Sequence, residues 1–148
     1  MPSYHLVAGN LIEHNEKYVL VQEGKEHVKG QWNVPAGSIE KKEQAKKAAV
    51  REAKEETGLN VDIEGLIGVY FDQSDYMDGT VVIFVFHSKI SEKDFKIQAK
   101  EDEEILDTGM FSKQQIKDKE IRTPFVLDAI QTLESGKISS IETVKDYL

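Results

Sequence analysis

None of the 148 residues is a cysteine. Disulfide frameworks, thiolate zinc sites and cysteine nucleophiles are therefore excluded. A long apolar run is also missing. The longest, residues 81–86, is far too short to cross a bilayer, so no membrane partner is expected. Residues 1–15 lack both a basic start and an apolar stretch, so no signal peptide is expected and the expected location is the cytoplasm. A basic surplus is absent as well: 19 Lys and Arg face 27 Asp and Glu, for a net charge of −8. General nucleic-acid binders carry a basic patch or balance, so stable nucleic-acid binding is not expected. No repeat, low-complexity segment or Pro- or Ser-rich linker divides the chain. Its length suits a single domain over residues 1–148.

What is present is the balance of a folded domain. Hydrophobic residues make up 39% and charged residues 31%, and a disordered chain with that much charge would hold far fewer apolar residues. Residues 4–12 read as a strand, 13–16 as a four-residue polar turn and 18–21 as the returning strand of a hairpin. Residues 23–32 read as a loop. The pattern then turns helical over 42–57, which has no Gly or Pro and is rich in Ala, Glu and Lys. Ala45, Ala48, Ala49 and Ala53 mark one narrow buried stripe, and Gly58 supplies the stop. Residues 60–64 alternate as a half-buried strand does, 66–71 continue apolar and 72–79 read as a loop. Residues 81–86 have no polar face and predict a strand covered on both sides. An acidic loop at 100–104 precedes a short strand at 105–111, and 122–133 show helical spacing with Pro124 near the start. Mixed strands, helix, strands, helix predict an α+β layered domain with helices against a central sheet.

The chemistry concentrates in Gly37-x5-Glu43-x7-Arg51-Glu52-Ala53-Lys54-Glu55-Glu56-Thr57-Gly58-Leu59. At about 100° per residue, Glu52 and Glu56 stand roughly 40° apart, with Glu55 about 60° to the other side. Three carboxylates then share one face near a helix C-terminus, where like charges repel and the helix dipole disfavours anions. Two local rules broken together mark a functional site. Such a face repels itself until cations arrive. Hard oxygen donors suit Mg²⁺ or Mn²⁺, not zinc, and magnesium keeps positions open for water and substrate phosphates.

The segment resembles the Nudix box, GX5EX7REUXEEXGU, where U is a bulky aliphatic residue. All seven fixed letters match: Gly37, Glu43, Arg51, Glu52, Glu55, Glu56 and Gly58. A chance match somewhere in the chain is on the order of 10⁻⁵ or less at ordinary residue frequencies. Ala53 departs from the first U position and Leu59 fits the second. The lead-in Trp32-Asn33-Val34-Pro35-Ala36-Gly37 also resembles the family's, in its Pro-Ala-Gly form.

The resemblance implies the Nudix α/β/α sandwich, a mixed central sheet with flanking helices. It implies Mg²⁺- or Mn²⁺-dependent hydrolysis of a nucleotide-like small-molecule diphosphate, with water attacking phosphorus in line. Carried over by position, Glu52, Glu55 and Glu56 would bind the metal, with the Gly37 carbonyl as a further ligand. Arg51 would orient the glutamates, and Glu43 would hold the loop to the helix. The base would be Glu52, Glu55 or a glutamate of the Glu101-Asp102-Glu103-Glu104 loop, with Glu104 preferred as outside ligand or base and Glu103 second. The alternative function is a catalytically silent nucleotide-binding or regulatory module on the same fold. Tyr76 stands where dinucleoside polyphosphate hydrolases of the family often carry Tyr. Residue 75 is Asp, where many ADP-ribose hydrolases carry Pro. Trp32 reads as packing, and the four histidines show no ligand spacing. Neither the group X attached to the diphosphate nor an oligomeric state is specified by the sequence.

Overall fold

The computed structural model describes residues 1–73, 78–98 and 104–148. Strands β1 (Tyr4–His14) and β2 (Lys17–Glu23) open the chain, followed by the short β3 (Trp32–Asn33) and β4 (Ala36–Ser38). Helix α1 (Ala45–Thr57) leads into the long strands β5 (Val61–Gln73) and β6 (Thr80–Ile90). Strand β7 (Ile105–Ser112), helices α2 (Lys113–Lys117) and α3 (Phe125–Glu134) and the short β8 (Ser139–Ser140) complete the order. Among the described residues the sheet runs β3-β2-β1-β6-β5-β8, with β4 added to β1 and β7 to β2.

Strand β1 divides its partners. Its end holds β2 through Glu13↔Tyr18 and His14↔Lys17, while its start holds β4 through Val7↔Ser38, Ala8↔Gly37 and Gly9↔Ala36. On its other side it runs parallel to β6 from Tyr4↔Thr80 to Glu13↔Lys89. The hairpin turn is tighter than predicted. Asn15 and Glu16, at φ 50° and 60°, close it in two residues. A two-residue turn with both residues left-handed matches the right-handed twist of the strands it joins. Past the turn β2 leaves β1 and pairs with β7 and β3.

The two faces of β6 show the layering. Phe84 and Phe86 pack with Ala8, Ala45, Ala48, Ala49 and Leu66 under α1. Ile83 and Val85 pack with Leu11, Leu20, Phe125, Val126 and Ile130 under α3. The strand is therefore covered on both sides, as its composition predicts, and the architecture is the α/β/α sandwich.

Other boundaries also differ from the sequence expectation: β6 runs on to Ile90, and Trp32 opens β3 instead of ending a loop. Helix α1 starts at Ala45 instead of residue 42, because Lys42 sits at φ 63° and Gln44 is extended. The intervening Glu40 and Glu43 form a turn, with the Glu43 N–H donating to the Glu40 carbonyl at 3.0 Å. Residues 60–73, read as two strand pieces and a loop, contain one strand, β5, with register shifts at Ile63/Gly65 and Leu66/Gly68. The bulges break the alternation that would have marked it as continuous. Helix α3 starts at Phe125, after Pro124, instead of at residue 122. The C-terminal end of α1 is as expected: Gly58, at φ 75°, donates its N–H to the Lys54 carbonyl.

Candidate active site

The box folds as an edge strand facing a helix. In an antiparallel ladder a residue's N–H and C=O point to the same side, and successive residues alternate. Asn10 donates its N–H to the Pro35 carbonyl and Ile39 donates its N–H to the Leu6 carbonyl, both at 3.0 Å, and Gly37 stands opposite Ala8. Pro35, Gly37 and Ile39 thus turn their backbone toward β1. Ala36 and Ser38 turn theirs toward α1. Two bonds show it: the Ala36 N–H donates to Glu56 Oε1 at 2.9 Å, and Arg51 Nη2 donates to the Ser38 carbonyl at 3.0 Å. This alters one expectation from the sequence. The Gly37 carbonyl faces the ladder, and the carbonyl on the helix side is that of Ala36.

Gly37 matters for what it lacks. A Cβ there would fall inside the Glu52 carboxylate, so only glycine lets this side chain lie flat against β4. Glu52 is correspondingly well covered, with 12% of its side chain exposed, while Glu55 is 46% exposed.

Arg51 gathers the acids. Nε donates to Glu43 Oε2 at 2.8 Å and Nη2 to Glu43 Oε1 at 3.0 Å, a bidentate pair. Nη1 donates to Glu52 Oε1 at 2.9 Å and reaches both Glu55 oxygens at 3.3 Å. The bonds to Glu43 raise the Arg51 pKa, with the nearby Glu52 charge adding to them against partial burial. Glu43 is held below the usual carboxylate range by its bond to Arg51. Partial burial opposes the shift, and the Glu40 N–H assists it.

The helix face pictured as self-repelling is thus compensated in part within the chain. Arg51 sets one positive charge among Glu43, Glu52 and Glu55, and Glu56 is engaged by a backbone N–H, so the face stays acidic. Among the described residues no group of three or more His, Asp or Glu side chains stands in a metal-holding arrangement. The donors still fit a hard divalent ion. Glu52, Glu55, Glu56 and the outward carbonyl of Ala36 offer only oxygen, on the two walls of one helix–edge junction.

Glu104 stands ahead of β7, and its carbonyl accepts the Gly24 N–H at 2.7 Å at the end of β2. The same end of β2 pairs Gln22 with Trp32, so Glu104 lies at the end of the sheet from which β3 leads toward β4. Glu101, Asp102, Glu103, Asp75 and Tyr76 lie outside the described residues. Trp32 packs edge-on to Phe111, with the Lys119 ammonium 4.3 Å from its ring centroid, in keeping with a structural role. The sequence reading missed the backbone groups of Ala36, Ser38 and Glu40. Their side chains carry no sign of them, and only the ladder parity finds them.

The chain belongs to the NUDIX domain family, whose model matches residues 3–129. Over 76 residues it is 37% identical to an ADP-ribose pyrophosphatase of Methanocaldococcus jannaschii, covering 51% of this chain and 45% of that protein. Over 65 residues it is 35% identical to a human 8-oxo-dGDP phosphatase, covering 44% of this chain and 20% of that protein. The chain spans less than half the length of the curated relatives it matches. Among solved structures, a NUDIX hydrolase from Nitrosomonas europaea superposes with a TM-score of 0.86 at 29% identity, covering 98% of both chains.

Proposed function

We propose that the chain hydrolyses the diphosphate linkage of a nucleoside diphosphate derivative with the help of Mg²⁺ or Mn²⁺. The observation that carries this is the junction of β4 and α1, where Glu52 lies against Gly37 and Glu56 meets the Ala36 backbone. Glu52, Glu55, Glu56 and the Ala36 carbonyl would hold the divalent ion. Once bound, it would neutralise diphosphate oxygens and make a water nucleophilic near neutral pH.

The other roles belong to the chain itself. Arg51 keeps Glu52 aimed at the edge strand, and Glu43 holds Arg51 by both oxygens. Glu52 or Glu55 takes the proton of the attacking water, and Glu104 is the candidate outside the box. With β4 as an edge strand, the diphosphate lies along its outer rim. Group X is then read by residues beyond the box. The cytoplasmic setting expected from the sequence belongs to the same proposal. The relatives named for their activity support a nucleoside diphosphate derivative as the substrate class.

The test is a panel of ADP-ribose, oxidised nucleotides and dinucleoside polyphosphates with Mg²⁺ or Mn²⁺. Glu55→Gln and Glu56→Gln are assayed beside the unaltered chain. Turnover should fall by orders of magnitude in the variants with circular dichroism unchanged. Near-normal turnover in both would sink the assignment, as would tight binding of a panel member without product.

A further inference from the structure

Asn10 interrupts the apolar run of β1 and is fully buried on the face that α1 covers. A buried amide is costly unless its donors and acceptor are met. Here Nδ2 donates to the Ala49 carbonyl at 2.6 Å, and Oδ1 accepts from the Ser88 hydroxyl. The Asn10 N–H donates to the Pro35 carbonyl at 3.0 Å. One residue therefore touches the helix of the box, strand β6 and the segment that enters β4.

This reach depends on the alanine stripe. Ala48 and Ala49 are fully buried, and side chains that small let α1 settle low enough for an amide on β1 to meet a helix carbonyl. The Ala49 carbonyl already receives the Ala53 N–H in the helix ladder, so its bond to Asn10 uses the second lone pair. Helix stability alone does not call for it. Apolar residues of the same shape in place of both Asn10 and Ser88 would spare the desolvation of an amide and a hydroxyl, an exchange that is often neutral for stability. What an apolar residue would lose is direction. The amide fixes both the height of α1 over the sheet and its position along its own axis.

We infer that Asn10 is a positioning residue for the active site. It sets the spacing between the two halves of the box, the edge strand with Ala36 and Gly37 and the helix with Glu52, Glu55 and Glu56. Its kinetic consequence rests on the hydrolase reading above, and its structural consequence does not.

The deciding variant is Asn10→Leu, made together with Ser88→Ala so that no buried hydroxyl is orphaned, and compared with Ile130→Val on the opposite helix as a core control. Asn10→Leu should lower kcat roughly ten- to hundredfold, the usual effect of losing a group that orients metal ligands. KM should stay within about twofold, and the Mg²⁺ concentration for half-maximal rate should rise severalfold, while Ile130→Val moves none of these. Amide hydrogen exchange should quicken over 34–40 and 45–57 together in Asn10→Leu, and binding of Mn²⁺ alone, read by calorimetry, should weaken. Unchanged kcat, Mg²⁺ profile and exchange in a folded Asn10→Leu would overturn the inference. If that variant does not fold, Asn10→Ser takes its place, since its hydroxyl falls short of the Ala49 carbonyl, and the same two outcomes apply. A wild-type chain that cleaves no panel member defeats the hydrolase reading alone. Exchange and Mn²⁺ binding then still decide the role of Asn10.

Discussion

Helices α1 and α3 bury the same sheet from opposite sides with different residues. Helix α3 inserts Phe125, Val126, Ala129 and Ile130 into the larger core cluster. Helix α1 buries Ala45, Ala48, Ala49, Ala53 and Thr57 and turns Arg51, Glu52 and Glu56 toward β4. Large side chains remove apolar area from water at about 25 cal/mol per Å², so α3 contributes more stability per residue. Small side chains contribute less burial and allow close approach of backbones. The chain thus separates anchoring from chemistry, and the helix with the weaker apolar grip carries the acids.

The sharpest way to break this contrast is on α1. Glu52→Gln or Glu56→Gln should cost at least about a hundredfold in kcat/KM, near 3 kcal/mol of transition-state stabilisation, with Tm barely altered. Gly37→Ala should resemble Glu52→Gln, because its Cβ displaces the same carboxylate. On the other face, Ile130→Ala should cost about 2–5 kcal/mol of folding stability by urea titration, with kcat/KM per folded molecule unchanged. Activity lost in proportion to its stability would show the two faces to be coupled, contrary to the separation drawn here. Arg51→Lys keeps the charge and loses the bidentate grip on Glu43, so a drop of about tenfold in kcat is expected by steady-state assay.

The smallest effect concerns His87, buried on β6 with neither ring nitrogen hydrogen-bonded among the described residues. Burial holds its pKa below the usual value, with the Lys89 charge assisting and Glu13 and Glu64 opposing. The unfolded chain therefore binds this proton more readily than the folded one. The stability this group contributes is complete above about pH 6.5 and is lost as pH falls toward the depressed folded value. His87→Phe should flatten that part of the profile in urea titrations between about pH 7 and pH 5. A wild-type profile in the variant would assign the slope to other groups.

The sequence made some of this plain and hid the rest. The alanine stripe marked α1 and its buried side, and the unbroken apolar run 81–86 marked a strand with two covered faces. The box residues were legible because their spacing is rigid in sequence. The start of α1 was not, since a left-handed backbone at Lys42 is invisible where the composition favours helix. Helix α2, absent from the sequence expectation, carries its own signal in Ser112 and Gln115, a capping box. In the site, the partners of Arg51 could be inferred in part, but the Ala36 and Ser38 backbone groups could not. Their direction depends on which residue of β1 faces which residue of β4, a property of pairing between distant segments.

The divided loyalty of β1 bears on how such a chain can diversify. Its first half pins β4 while its last half meets β2 only beside the turn, so residues 24–31 close the paired strands β2 and β3 away from the ladder between β1 and β4. Insertions, deletions and drift there can alter the β2–β3 end of the sheet, while the three pairs between β1 and β4 keep the box strand in register. On the proposed hydrolase reading, the chemistry would be held by one half of a strand, and specificity would be free to vary beyond the other.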